Sequence, residues 1–452
     1  MTETNTTSEK KRILFSPIGN TDPIRECYDG ACLHIVRHYH PYKVVLFFTK
    51  EMWAREQYNE CYTRSIKSVA PDCEIELIYT DIVDAHLYDS FIDVLPEKVR
   101  SLRDKCDEDT EILLNLSSGT PQIKTMMAIL TVEEGFRGIQ VVSPNKGSNS
   151  KSIPVQAEDD VEAMIENNFD NEPDAENRCE EPPLQAIRYF SERQRLLSLI
   201  HLYEYGAAYE LAKGSPNIAL EVKKLLKHGK MRQALMTDEA RKTANAVDGI
   251  RLFPNLGKNK KGEELFEYFL TLVIARKKGM LSDFLVKCNS YLFEMLRYYV
   301  MKKCPKLKLN DCMSNRKLDE VLLRENAPAL LDMLDNRYGR DGYRSSDLSL
   351  TNLRIIVQYA EKQKLADNME DNTVITQLLE SMLDNEQFRT MRNESAHTIT
   401  NIDEPTFIMK IGLPSEQFLS KVTQLSSIII DPSVKKLQGV YDTINKAIEE
   451  RL

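Results

Sequence analysis

Ile112-Leu-Leu-Asn-Leu-Ser-Ser-Gly-Thr-Pro-Gln-Ile-Lys124 decides the fold of the first half of the chain. Its apolar start reads as a strand and its Ser-Ser-Gly-Thr-Pro centre as a tight loop. Gly119 permits close backbone approach, and Pro121 suits the first turn of a helix that continues through Ile123 to Glu134. The same step recurs on both sides. Strands are expected at Arg12–Phe15, Val44–Thr49, Glu74–Ile78 and Gly138–Val142. Helical stretches separate them at Ile24–Tyr39, after Thr49 with Met52, Trp53 and Tyr62 on the inner face, and at Ile92–Cys106. Val44-Val-Leu-Phe-Phe-Thr49 is continuously apolar, as suits a strand buried on both faces. The pattern predicts a Rossmann-like α/β domain built on a mostly parallel, doubly wound sheet. Such sheets bind ligands at loops beyond the carboxyl ends of their strands.

Two loops of that kind stand out. In the first, Ser117, Ser118 and Thr120 place hydroxyls beside the free N–H groups of a helix start, which suits a phosphate or a nucleotide edge. The second, Ser16-Pro-Ile-Gly-Asn-Thr-Asp-Pro23, also follows a strand and is rich in small hydrogen-bonding residues. Neither is a Walker loop or a dinucleotide fingerprint. The competing reading of Asn115–Lys124 is a structural cap with no ligand.

At 452 residues the chain is too long for one core and suggests two or three domains. With 42% hydrophobic and 29% charged residues it has the composition of a soluble globular protein. No run approaches the ~18 apolar residues of a membrane span. The polar start, Met1 to Arg12, has no apolar signal region, so a cytoplasmic location is expected. Nine scattered cysteines include no Cys-x-x-Cys pair, so neither a zinc site nor a disulfide framework is expected, and no metal is assigned. The net charge of -9 is misleading as a whole-chain figure. Residues 158–181 hold eleven acids and one base, which leaves the remainder at +1. Near-neutral domains argue against stable DNA binding but leave room for a short single strand in a local groove. Residues 158–183 read as an acidic linker with an exposed helix over Val161–Asn168. From Leu184 onward the periodicity is helical throughout, including expected helices at Ile218–Leu226, Met231–Ala246, Arg316–Leu323, Glu386–Thr400 and Val434–Arg451.

Within the expected helix over 386–400 lies Arg392-Asn393-Glu-Ser-Ala-His397. Asp384 with Gln387 can cap its start. Asn393 and His397 are four apart and share a face, whereas Arg392 and His397 diverge by about 140°. Two such helices crossing at a twofold axis would bring both pairs into one cleft, which favours a homodimer. Imidazole can move a proton near neutrality, and guanidinium can hold a phosphate. Single-stranded RNA supplies its own 2′-hydroxyl nucleophile, so these groups can cut it without a metal. The competing reading is a surface arginine and a water-satisfied histidine. Of the seven histidines, His397 alone has an arginine five residues before it.

The Arg392 to His397 spacing resembles the signature of HEPN ribonucleases, and that resemblance assigns catalysis to Arg392, Asn393 and His397. The two loops together resemble the CARF domain, the Rossmann-like sensor of cyclic oligoadenylates. A CARF domain followed by these helices is similar to the ancillary ribonuclease of type III-A (Csm-type) CRISPR systems. The expected domain limits are 10–157 for the sensor, 158–183 for the acidic linker, 184–265 for a helical connection and 266–452 for the HEPN domain; the acidic segment 158–181 has no counterpart in the family. The resemblance implies that Gly19, Asn20, Asp22, Thr49, Asn115, Ser117, Ser118, Gly119, Thr120, Gln122 and Lys124 hold a cyclic oligoadenylate, with cyclic hexa-adenylate favoured over cyclic tetra-adenylate. It implies slow cleavage of that activator, with Thr120 and Asn20 as candidates. Trp53 is either an adenine stacker or, the weightier reading, a packed aromatic. Two rivals remain: a nucleotide-responsive transcription regulator, for which neither a winged helix nor a basic surface is evident, and a silent HEPN scaffold that binds RNA.

Overall fold

The continuous apolar runs become strands whose alternate residues feed two separate cores. The structure is a computed structural model that describes residues 11–144, 160–244, 252–254, 256, 259–383 and 402–452. The chain divides into two units, residues 1–191 and 192–452.

The first unit holds strands β1 (Arg12–Pro17), β2 (Ile24–Arg25), β3 (Tyr28–Asp29), β4 (Lys43–Phe48), β5 (Glu74–Tyr79), β6 (Glu111–Asn115), β7 (Arg137–Val141) and β8 (Cys179–Glu180). Six of them form one sheet in the order β5-β4-β1-β6-β7-β8. All neighbours are parallel except β7 and β8. Leu14, Val44, Leu46, Phe48 and Leu113 point to one face, against α1 (Ala31–Tyr39) and α3 (Cys61–Val69). Ile13, Phe15, Val45, Phe47, Ile112 and Leu114 point to the other, against α4 (Val94–Asp104) and α5 (Pro121–Glu134). The period of two along a strand makes one unbroken apolar run serve both cores. At the β5 edge, Lys43 pairs with Glu74 and Glu76, both at 2.8 Å.

Three expectations need correction here. The helix expected over Ile24–Tyr39 begins only at Ala31, because Glu26 and Cys27 both adopt left-handed backbone and close the two-residue β2–β3 hairpin. The helix expected after Thr49 is two, α2 (Lys50–Asn59) and α3, broken at the left-handed Glu60. The buried Glu56 carboxylate caps the second, accepting from Tyr62 N at 3.0 Å and Thr63 N at 3.3 Å. The acidic segment, from residue 160 on, is no linker. It forms α6 (Val161–Glu166), then adds β8 to the sheet beside β7.

The second unit is helical, as its periodicity predicts, with one apolar core running from Leu196 to Ile448. Boundaries shift: the two helices expected between 218 and 246 are found at Leu220–Gln233 and Thr237–Ala244, and the last splits into Val434–Leu437 and Val440–Glu449. The helix expected from Arg316 starts at Glu320. Asn315 and Arg316 are left-handed and turn the chain into a small three-stranded patch at 313–314, 317–318 and 346–347. Arg232 and Glu267, both buried, form a two-pronged ion pair at 2.8 Å and 2.8 Å. The helix expected over 386–400 lies outside the described residues. Helices Met369–Leu383 and Glu404–Ile411 precede and follow it in the chain.

Candidate functional site

The loops after β1 and β6 touch backbone to backbone. A Cβ built on Gly19 would lie 2.5 Å from the Gly119 nitrogen and 2.9 Å from its Cα, so only glycine fits. Gly119 itself is left-handed at φ +88. The adjacency follows from the sheet order, since β1 and β6 are paired neighbours.

Asn115, fully buried at the end of β6, organises the contact. Its amide nitrogen donates to Ser16 Oγ at 2.9 Å and Ser118 Oγ at 2.8 Å. Its oxygen accepts from Ser117 N at 2.9 Å and Ser118 N at 3.3 Å. Ser117 Oγ accepts from Val141 N at 2.8 Å, which ties the loop to β7. Thr120 is the N-cap of α5: its hydroxyl accepts from Ile123 N at 3.4 Å and donates to the Ala85 carbonyl at 2.8 Å. Asp22, also fully buried, accepts from Gly19 N at 3.0 Å and from Cys32 N, near the start of α1, at 3.2 Å. Burial pushes the Asp22 carboxyl above its usual range, against the hydrogen bond from Ser118 and those from Cys32 and Gly19.

The expected ligand residues therefore share one end of the sheet but fall into two groups. Asp22, Asn115, Ser117, Ser118 and Thr120 spend their side chains inside the protein. Asn20 is exposed, and Gln122 and Lys124 are half-buried on the first turn of α5. Thr49 is buried at the N-cap of α2 and makes no capping bond with its side chain. Burial holds the Lys124 ammonium below its usual pKa; the Asp22 charge opposes this and Arg25 adds to it. Arg25 is thus a second cation near this end of the sheet, which sequence reading passed over inside an expected helix. Ser16, fully buried, was likewise missed as the partner through which Asn115 joins the two loops. Trp53 packs edge-on to Phe48 and against Tyr79, each with ring centroids 5.5 Å apart, which is the packed-aromatic reading. Arg392, Asn393 and His397 lie outside the described residues.

A second polar cluster was missed entirely. Asp29, His34 and Asp170 are buried, and one ligand atom from each lies within 4.8 Å of the others, a grouping that could hold a cation. Two arginines already fill that role. Arg37 clasps Asp29 at 2.7 Å and 3.0 Å, and Arg178 pairs with Asp170. Arg178 N donates to His34 Nε2 at 3.0 Å, so a neutral ring carries its proton on Nδ1, 3.3 Å from Asp29. Burial would raise the Asp29 carboxyl, but hydrogen bonds from His34 and Arg37 outweigh it and hold it at about 2. With two carboxylates against two guanidiniums the cluster is balanced, and it fastens the 168–178 segment to β3 and α1.

The geometry defines a class: a Rossmann-like domain with paired glycine loops at the carboxyl ends of β1 and β6, on a chain whose second half is helical. Family models agree. The Cas_Csm6 CARF domain matches residues 72–179 and the Cas_Csm6 HEPN domain matches residues 253–449. The chain is 31% identical over 306 residues to the CRISPR system endoribonuclease Csm6 of Enterococcus italicus, covering 66% of this chain and 68% of that protein. It is 31% identical over 318 residues to Csm6 of Mycobacterium tuberculosis, covering 68% and 73%. A solved structure of Enterococcus italicus Csm6 bound to cyclic hexa-2′-fluoro-hexa-dAMP superposes with a TM-score of 0.65 at 24% identity, covering 98% of this chain and 100% of that one. The chain belongs to the Csm6 family of CRISPR endoribonucleases. Membership in a family of nucleases sets aside the transcription regulator and the silent scaffold. Among the described residues no helix is long and apolar enough to cross a membrane.

Proposed function

We propose that this chain is a homodimeric, metal-independent ribonuclease that a cyclic oligoadenylate switches on during type III CRISPR defence. The observation that carries the sensing half is the meeting of two glycine loops at the carboxyl ends of β1 and β6. This is where a Rossmann-like sheet receives a nucleotide. Asn20, Gln122, Lys124 and the loop backbones are the groups left open to the ligand, and cyclic hexa-adenylate is the favoured ring. Asn20 is the better placed of the two candidates for slow cleavage of the activator, because the Thr120 hydroxyl is already engaged.

The cutting half rests on Arg392, Asn393 and His397, contributed by both copies to one cleft. The RNA 2′-oxygen attacks the adjacent phosphorus, and its proton passes to an imidazole. The bond to the 5′-oxygen breaks, and that oxygen is protonated as it leaves. Arg392 offsets charge on the phosphate, and Asn393 fixes the imidazole or a phosphate oxygen. The products are a 2′,3′-cyclic phosphate end and a 5′-hydroxyl end. The test is cutting of labelled single-stranded RNA in EDTA, with and without cyclic tetra- or hexa-adenylate. One ring should raise cutting steeply, and His397→Ala should abolish it. Cutting that survives His397→Ala would remove the assigned site, and indifference to every ring would remove the sensor.

A further inference from the structure

A third loop borders the ligand end of the sheet and has no role assigned above: residues 80–93, between β5 and α4. Its backbone is tied to two of the expected ligand elements. Lys50 N, directly after Thr49, donates to the Ile82 carbonyl at 3.0 Å, and Thr120 Oγ donates to the Ala85 carbonyl at 2.8 Å. Ile82 and Ala85 pack inward, and Phe91 is fully buried beneath them. The outer side shows large apolar groups to solvent: Val83 is 69% exposed, Leu87 48%, Tyr88 51% and Ile92 57%. These are anchored side chains beside a site, not scattered surface residues. Tyr88 and Asp89 share the short 3-10 turn Tyr88–Ser90, both exposed, and neither side chain has a hydrogen bond, ion pair or ring contact among the described residues.

The charge of the loop selects which part of a nucleotide it can meet. It carries Asp81, Asp84, Asp89 and Asp93, so phosphates avoid it in favour of Lys124 on α5 and Arg25 on β2. A base has no such conflict. An adenine presents a π-face to an aromatic ring and an exocyclic N6 amine that donates to a carboxylate. Guanine and hypoxanthine present an O6 acceptor at that position, which a carboxylate repels.

We propose that the 80–93 loop is an adenine-reading subsite, in which Tyr88 stacks on one base of the activator and Asp89 accepts from its N6 amine. The proposal rests on the cyclic oligoadenylate reading given above. The test is equilibrium binding to the full-length protein of cyclic hexa-adenylate, cyclic tetra-adenylate and an inosine-substituted ring, with the oligomeric state followed by light scattering. Tyr88→Ala should weaken binding of the adenylate ring about 5- to 150-fold, the range for one lost base stack. Tyr88→Phe should bind as the unaltered protein does. Asp89→Asn should narrow the preference for adenosine over inosine, because an amide can donate to O6. Unchanged affinity in Tyr88→Ala overturns the subsite. So does a changed oligomeric state with affinity retained, which would make the loop a contact between copies. Failure of the unaltered protein to bind any adenylate ring overturns the sensor reading together with the subsite, and it registers before any substitution is made.

Discussion

Asn115→Ala is the substitution whose consequence the structure fixes most tightly. The side chain is fully buried and makes four hydrogen bonds, two as donor and two as acceptor. Truncation strands the Ser16 and Ser118 hydroxyls and the Ser117 and Ser118 amides. At about 1 kcal/mol net per bond the loss is about 4 kcal/mol, reduced to about 3 kcal/mol where water enters from the open end of the sheet. For a unit of this size that lowers the melting temperature by about 6–12 °C. Calorimetry of the full chain should show the first unit's transition falling while the second unit's stays. Hydrogen exchange should speed up at Ser117 and Ser118, and affinity for the adenylate ring should drop with it. Asn115→Asp should also destabilise, since it buries a charge and loses both bonds that the amide donates. Burial would raise that carboxyl above its unfolded value, so the deficit should shrink as the pH falls towards 4. A shift under about 1 °C in Asn115→Ala, with exchange at 117 and 118 unchanged, would refute the claim that this amide holds the loop.

Two further outcomes follow from the same reasoning. Gly19→Ala drives a methyl into the Gly119 backbone, which cannot rotate away, so the loops must part; expect a cost of about 1–3 kcal/mol and weaker ring binding, checked by calorimetry and titration, with unchanged binding counting against the contact. His228, fully buried, donates from Nδ1 to the Ala240 carbonyl at 2.8 Å, and burial, aided by the Arg232 charge, pushes its pKa down to about 4. The folded value lies below the unfolded value of about 6.5, so this contribution is whole above pH 6.5 and fades towards pH 4, by about 3 kcal/mol in all. Denaturant unfolding between pH 4.5 and 7.5 should show that slope, and His228→Asn, which keeps a donor and cannot titrate, should flatten it.

The sheet was legible because one physical fact produces it. A strand buried on both faces has no polar positions, and Val44 to Phe48 has none. The β2–β3 hairpin was not legible, because its left-handed pair is Glu26 and Cys27, where Asn and Gly would have announced a turn. Charge misled at residues 160–181. A run of acids reads as solvated, yet Asp170 turns inward to Arg178, and Asn168 donates to Asp29 from 139 residues away. Such pairing leaves no local trace. The expected ligand residues, chosen by chemical type, gather at one end of the sheet. Their hydrogen-bond partners were not legible: nothing in Ser117-Ser118-Gly-Thr120 says that these hydroxyls answer to Asn115, Val141 and Ala85.

That commitment bears on how the proposed sensor works. Loops whose hydroxyls are free could wrap a ligand by turning them outward. Here, turning Ser118 or Thr120 outward would break bonds to Asn115 or to the Ala85 carbonyl, so each new ligand bond would replace one already made. In the proposed sensor, recognition would then fall to backbone N–H groups, to Asn20, Gln122 and Lys124, and to the proposed 80–93 subsite. The response must also be shared. Gly19 and Gly119 meet without space for a methyl group, so a ligand that presses on one loop moves the other. Thr120 carries that movement into α5 and, through Ala85, into the loop that leads to α4. A site built this way acts as one platform pushed as a unit, which suits a switch better than a clasp of independent fingers.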